Sequence, residues 1–465
     1  MTSQQIVQLL NSYQNKLNSK IIKDIIQDNL ETKKRVSALY NTYKGDALIK
    51  SRTFEDTTKV NNKLPQDYPG DIVDQVVGYL WGVPIAYSIN EENYSEGELA
   101  KAKEALKSFL TRNDIEELDS TTGEFMSACS FGARLCYIDK DGKERVMNIK
   151  PWECAFIMDP TLDEVQFGFI YYDIDLIENG KSVKRTKVEW YDNQNVSFFI
   201  TDDKGDFTPD STQPEPKPHL FDYVPLVIYP NNNIMKSDFE KVQEDIDAMD
   251  RLLSDIQNEA EEFRLAYMVF ENATVDKETV QTARRSGAFS LPENSKATFL
   301  TKDINADFLE NHKKTLNENI YKFSKSVDMN DENFSGAAQT GESRKWKLVG
   351  LETKAKTKER KFTKATRTMF KIICSAWDKK QIKLNYEDIE LQYTRNLPVD
   401  LDYSATVTGK LKGNVSEKTR LSLLPFVPDP EAELQQMQDE EAANPNINWE
   451  TVPPKSKNSG DGANG

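Results

Sequence analysis

Few residues in this chain have the types and spacing that catalysis or metal binding requires. Its 465 residues include two histidines. His219 lies in a proline-rich stretch and His312 in a helical one. Neither sits in an HExxH pattern or at ligand spacing from a cysteine, so no histidine-dependent triad or zinc site is expected. Gly45-Asp46-Ala47-Leu48-Ile49-Lys50-Ser51 ends like a phosphate-binding loop but lacks the second glycine before its lysine, and reads as an ordinary loop. Asp202-Asp203 falls in a turn, where neighbouring carboxylates are solvated. Cys129, Cys136, Cys154 and Cys374 form no CxxC pair, and read as reduced, buried thiols of an intracellular protein. These residues imply no enzyme activity, no cofactor and no metal.

The chemistry the sequence does carry is electrostatic, and it is sorted along the chain. Fourteen Lys and Arg face three acids between Arg344 and Lys383, in a chain whose formal net charge is −16. Between Asp238 and Glu262 ten acids accompany only Lys241 and Arg251. The basic run has too few acids for i,i+4 pairing to explain it, so its partners are expected elsewhere, first among the acids of 238–262. A pI near 4.9 argues against a protein that coats DNA. The N-terminus has no basic then apolar leader pattern, and no apolar run reaches about 18 residues, so neither secretion by that route nor a membrane span is expected.

The elements that must position these charges follow from periodicity. Residues 3–43 carry Ile6, Leu9, Leu10, Tyr13, Leu17, Ile21, Ile25 and Leu30 at helical spacing and predict two helices. Asp71 is expected to cap a helix through Leu80 that stops at Trp81-Gly82-Val83-Pro84. Two more helices are expected over 95–110 and 114–130, with Phe125 and Phe131 facing inward. From Gly132 the period becomes two. A hairpin is expected over 134–149, then strands at 155–158, 165–172, 186–191, 196–201 and 224–229, with an exposed loop at 209–218. A helix with an acidic outer face is expected from Ser237 to Glu262. A small α/β insertion should follow, with a strand at 266–270, a helix at 276–285 and short strands in 287–301. Helix then returns over 307–327. The loop Asn330-Asp331-Glu332-Asn333-Phe334-Ser335-Gly336-Ala337-Ala338-Gln339-Thr340-Gly341 precedes a basic amphipathic helix from Glu342 to Lys380, roughly 55–60 Å long if unbroken. Beyond it, 401–411 reads as irregular, Ser416 as the cap of a helix through Leu424, and Pro430 as the start of a last, acidic helix. The tail after about residue 445 reads as disordered. The fold class is α+β in several domains, with one very long helix.

Three separated motifs resemble one family in the right order. Asn61-Asn62-Lys63-Leu64-Pro65, Asp71-Ile72-Val73-Asp74 and Gly78-Tyr79-Leu80-Trp81-Gly82-Val83-Pro84-Ile85 look like the N-terminal signature of tailed-bacteriophage portal proteins, in the branch common in long-tailed phages. Phe334-Ser335-Gly336, Lys347-Leu348-Val349-Gly350-Leu351-Glu352 and Lys356-Thr357-Lys358-Glu359-Arg360-Lys361-Phe362 resemble that family's loop and long helix. Leu421-Ser422-Leu423-Leu424-Pro425-Phe426-Val427 with Asp429-Pro430-Glu431-Ala432-Glu433-Leu434 resembles its C-terminal segment.

The resemblance implies a head–tail connector: a homododecamer ring, with thirteen subunits possible in isolation, at one capsid vertex. Double-stranded DNA would pass through it during packaging and ejection. It implies a wing at 1–232, stem helices at 233–262 and 306–328, and a clip at 263–305. A tunnel loop would occupy 329–342, the long helix and further wing strands 343–400, and a crown 401–445, leaving a tail at 446–465. Asn333, Phe334, Ser335, Gly336, Ala337, Ala338 and Gln339 would then line the DNA channel, with Lys313, Lys314, Lys322 and Lys325 as possible lining residues on the stem. Lys277, Arg284, Arg285 and Phe289 of the clip would face the terminase large subunit and the head-completion adaptor. Major capsid and scaffolding proteins would be further partners, and no membrane is involved. The implied location is the virion, after assembly in the host cytoplasm. An acidic conduit suits this role, because phosphate neutralisation would hold the duplex instead of letting it slide. Small and polar loop residues can approach DNA without reading bases, so no sequence specificity is expected. Two readings from other classes are a cytosolic helical scaffold and an accessory protein that clamps DNA with the basic helix. The scaffold lacks a sustained heptad, and the clamp calls for strong, salt-dependent duplex binding by the monomer.

Overall fold

Buried residues recurring every three or four positions from Leu351 to Trp377, apolar apart from Lys358, Thr366 and Ser375, form one side of a 31-residue helix. The computed structural model describes residues 3–13, 17–56, 59–159, 161, 164–178, 180–262, 267–272, 276, 278, 281, 294–300, 306–329, 348–396, 401–424, 427 and 430–443. The chain divides into two units, Met1–Asn396 and Leu397–Gly465.

The first unit begins with helices α1 (Ser3–Ser12), α2 (Ser19–Tyr43), α3 (Tyr68–Trp81), α4 (Glu96–Arg112) and α5 (Ile115–Cys129), with strand β1 (Ala86–Ile89) between α3 and α4. Strands β2 (Phe131–Ile138), β3 (Glu144–Ile149), β4 (Cys154–Met158), β5 (Val165–Glu178), β6 (Lys181–Tyr191), β7 (Asn195–Thr201), β8 (Phe207–Pro209), β9 (Lys217–Pro218) and β10 (Leu226–Pro230) follow. Helix α6 (Gln243–Glu262), the antiparallel pair β11 (Tyr267–Glu271) and β12 (Lys296–Leu300), helix α7 (Ala306–Ser324), helix α8 (Val349–Lys379) and strand β13 (Ile389–Gln392) complete it. This is the mixed helix and sheet composition expected.

Strands β10-β2-β3 make one antiparallel sheet and β4-β5-β6-β7-β8 another, with β9 added on β7. Register in the first is set by Leu226↔Leu135 and Cys136↔Val146, which turn the apolar side chains of neighbouring strands to the same face. One buried cluster joins α2, α3 and α5 to β2, β10, α6 and α7 through Val36, Ile72, Phe125, Leu135, Leu226, Ile246 and Ile320. A second packs Ile21, Ile22 and Ile25 of α2 over Phe169, Val188 and Trp190. Helix α8 lies against α3 and β10, with Phe362 between Trp81 and Tyr229 at ring distances of 5.5 and 5.2 Å. Gly123 faces the Trp81 ring so closely that a Cβ there would come within 2.5 Å of it.

Several boundaries differ from the sequence reading. Helix α3 starts a turn before Asp71: Asp67 accepts the Gly70 N–H, and Pro69, whose fixed φ suits a first turn, stands just inside. Regular helix in α6 begins at Gln243, because Ser237 and Glu240 close a reciprocal cap around a separate turn. Strands β5 and β6 run on to Glu178↔Lys181, past the apolar stretch that marked them in sequence, and close at Gly180 with φ of +76°. The segment 401–411, expected to be irregular, is mostly helical (α9, Leu401–Lys410), as no glycine or proline interrupts it before Gly409. With α10 (Glu417–Leu421), capped by Ser416, and α11 (Pro430–Ala443), α9 makes up what is described of the second unit. Residues 342–347, expected to open the long helix, lie outside the described residues, as does nearly all of the helix expected at 276–285.

Candidate functional site

The channel-loop residues Asn333, Phe334, Ser335, Gly336, Ala337, Ala338 and Gln339 lie outside the described residues, as do Lys277, Arg284, Arg285 and Phe289. What the structure supplies is the frame on either side of residues 330–347. Gln75 of α3 grips the chain leaving α7 in both directions: its amide nitrogen donates to Val327 O at 2.8 Å, and its carbonyl accepts the Val327 N–H at 3.0 Å. One turn along α3, the Tyr79 hydroxyl donates to Glu352 in the first turn of α8 at 2.8 Å. Residues 75 and 79 share a helix face, so both flanks of the segment are fixed to one rigid element. At the same neck Gly350 lies against Lys325, where an added Cβ would sit 3.6 Å from the Lys325 Cβ.

Ion pairs and polar bonds surround the neck. Asp328 accepts from Asn317 at 2.8 Å, whose carbonyl in turn accepts the Tyr68 hydroxyl at 2.8 Å. Arg395 bridges Glu352 and Glu359 at 2.9 and 2.7 Å. Its hydrogen bond holds Glu352 below the ordinary glutamate range, while burial and the Glu352 bond push Tyr79 up to about 12. Lys358 is 1% exposed and reaches Asp238 at 2.8 Å and Ser127 at 2.9 Å, and Lys354 stands 3.8 Å from the same aspartate. Burial lowers Lys358 to about 8 against the pull of Asp238. Burial alone would raise Asp238, but the two lysines bring it below its usual value. The expected pairing of the basic helix with the 238–262 acids is thus realised at Asp238, which precedes α6.

The stem lysines do not act alike. Lys313 pairs with Glu310 at 3.5 Å. Lys314, Lys322 and Lys325 are exposed and make no ion pair among the described residues; Lys322 stands 5.6 Å over the ring of Phe323. The loop that resembled a phosphate-binding loop is committed internally, since Lys50 donates to Gly45 O at 2.5 Å. All four cysteines are free and buried.

Sequence reasoning missed a second polar construction, which joins the Asn61-Asn62-Lys63-Leu64-Pro65 stretch to α6. The backbone N–H groups of Asn62, Leu64 and Gln66 donate to Asn258 at 2.7 Å, Ser254 at 3.0 Å and Asp250 at 2.8 Å. Alternate N–H groups of an extended chain recur about every 6.6 Å. Side chains four apart on a helix recur about every 6.0 Å, so three rungs fit with little strain. Arg52 reinforces it, bonding Asn61, the Asn62 carbonyl and Asp255. The available signal was a polar i, i+4, i+8 row bordering the apolar side of a predicted helix.

A third is the buried Arg134. Its guanidinium is 0% exposed and contacts Asp119 at 2.7 Å, Thr122 at 2.9 Å and the Tyr229 ring at 4.8 Å, while Tyr87 donates to the other Asp119 oxygen at 2.7 Å. It ties α5, β1, β2 and β10 together beneath α8.

Among the described residues no helix is long and apolar enough to cross a membrane, and no three acidic, cysteine or histidine side chains are grouped to hold a metal. Comparison with known families identifies the class of protein to which this mixed helix and sheet scaffold belongs. Residues 22–446 match the family described as "Phage portal protein, SPP1 Gp6-like", and the chain belongs to that family. A similar protein is the portal protein of Bacillus phage SPP1, 23% identical over 438 residues, which cover 89% of this chain and 81% of that one. The chain is therefore a structural, non-enzymatic component of a bacteriophage capsid, a portal that works as an oligomeric ring in DNA packaging.

Proposed function

We propose that twelve copies of this chain close into a ring at one capsid vertex, and that residues 333–339 narrow its channel around double-stranded DNA. The observation that carries this reading is the double anchorage on α3: Gln75 holds the chain before residues 330–347 and Tyr79 the helix after them, as a loop projecting from a rigid rim requires. In this reading 1–232 is the wing, α6 and α7 form the stem, 263–305 is the clip and 401–445 the crown. The exposed Lys314, Lys322 and Lys325 give sparse phosphate contacts, while the net charge of −16 keeps the duplex from being held. The clip, through Lys277, Arg284, Arg285 and Phe289, meets the terminase large subunit during packaging and the head-completion adaptor afterwards. The ring is assembled in the host cytoplasm with capsid and scaffolding proteins.

The test has two arms. Light scattering and negative-stain microscopy of the purified protein should show rings of twelve or thirteen subunits with a central hole. Replacing Gly336 and Ala338 by tryptophan should leave rings intact and sharply reduce packaged DNA. Normal packaging by the double variant would remove residues 333–339 from the constriction.

A further inference from the structure

The outward side of α8 carries Lys356, Arg360, Lys364, Arg367 and Lys371, at steps of three or four residues. That spacing keeps all five on one face, opposite the buried row that holds Phe362 and Met369, over about 22 Å of helix. The first four are exposed and Lys371 is half-buried. Arg360, Lys364, Arg367 and Lys371 line a shallow groove of about 450 Å³. The acid beside it, Glu359, is held by Arg395 at 2.7 Å. Arg360 and Arg367 have neither a hydrogen bond nor an ion pair among the described residues. The pairs at the ends of the row are loose. Lys356 stands 3.8 Å from Glu352, which Arg395 already engages, and Lys371 stands 3.7 Å from the exposed Glu164.

Like charges four residues apart destabilise a helix, so the row is a cost to folding that a bound polyanion removes. The groove has no aliphatic side chain to serve as the buried anchor that a lasting protein interface requires. A duplex needs no such anchor, and over the length of the row it presents about a dozen phosphates. We propose that this face of α8 is a second contact surface for double-stranded DNA, separate from residues 333–339, bonding the phosphate backbone and reading no bases. The choice of DNA rests on the chain's role as a portal, but the site uses none of the channel-loop residues. Five contacts in an acidic chain give a weak, salt-dependent grip that guides the duplex without clamping it.

Fluorescence anisotropy of a labelled duplex of about 30 base pairs is read against preformed rings of the full chain across a range of sodium chloride. Wild type should show a slope of log K on log salt of about −4.5, a weakening of about 500-fold for a fourfold rise in salt. R360Q/R367Q should make that slope shallower by about two and bind at least about tenfold more weakly in low salt. K101Q/K107Q, which removes two exposed lysines of α4, should change neither. Rings of G336W/A338W should bind the duplex as wild type does, which separates this face from the channel loop, whose own role is read by packaging. No binding in low salt, an equal loss in K101Q/K107Q, or loss of binding in G336W/A338W overturns the proposal. So does an R360Q/R367Q variant that binds within twofold of wild type, or one that no longer forms rings, which would make the face a contact between subunits.

Discussion

Arg134→Met isolates what the buried cation beneath α8 contributes. The change keeps most of the side-chain volume and removes the guanidinium, leaving the Asp119 carboxyl, 2% exposed, with only the Tyr87 hydroxyl. Uncompensated buried charges cost about 3–5 kcal/mol. Asp119 can escape by taking a proton, and neutralising an aspartate of ordinary pKa near 4 at pH 7 costs about 4 kcal/mol. The expected loss at pH 7 is therefore about 4 kcal/mol, falling towards about 2 kcal/mol at pH 5, where the proton is cheaper to bind. Asp119→Leu should be worse at both pH values, because the stranded guanidinium cannot shed its proton. The double variant R134M/D119L should regain most of the loss, since apolar replacement of a whole buried pair is often neutral. Urea denaturation followed by tryptophan fluorescence, at one fixed protein concentration, gives the four midpoints. A loss under about 1 kcal/mol for R134M, or a double variant no better than the singles, would refute the reasoning.

Gln75→Ala strips partners from both the N–H and the C=O of Val327, which is 9% exposed. A stability loss of about 1–3 kcal/mol is expected, with rings still formed and less DNA per capsid, read by midpoint and by packaged-DNA yield. An unchanged yield would separate the neck from packaging. Ser254→Ala leaves the Leu64 N–H without its acceptor, and a loss of about 1–2 kcal/mol should appear in the same denaturation assay; a variant equal to wild type would mean that water replaces the hydroxyl. Asp250 has a folded pKa of about 6, above its unfolded value near 3.8. The folded state then holds the extra proton between those values, so this group's contribution falls as pH rises from about 4 to 6. The stability of D250N relative to wild type should therefore rise between pH 5 and 7, whatever its sign at pH 5; a pH-independent difference would show that the carboxyl titrates normally.

Much of the fold was legible because periodicity is local. The hairpin closed at Gly142 and the buried row Ala355, Phe362, Ala365, Met369, Ile373, Trp377 both follow from spacing that a short window contains. Boundaries failed where a second signal competed: Asp71 looks like a cap, but Asp67 and Pro69 start the helix earlier. Strands β5 and β6 outran their apolar stretch because cross-strand pairing continues where burial stops. Of the candidate site, the motifs around Gly78-Tyr79 and Gly350-Leu351-Glu352 were visible, but their joining through Tyr79 and Glu352 spans 273 positions and has no local signature. The same holds for Arg134 with Asp119, two ordinary surface residue types until the sheet and α5 close over them.

The ladder between Asn62, Leu64, Gln66 and α6 also has a mechanical meaning. Its three bonds lie across the α6 axis, so a pull along that axis loads them together, in shear, instead of peeling them one by one. A bonded interface loaded in shear yields only when all its rungs fail at once. Helix α6 ends at Glu262. A load applied along α6 would thus pass into the N-terminal part of the unit through a stiff joint.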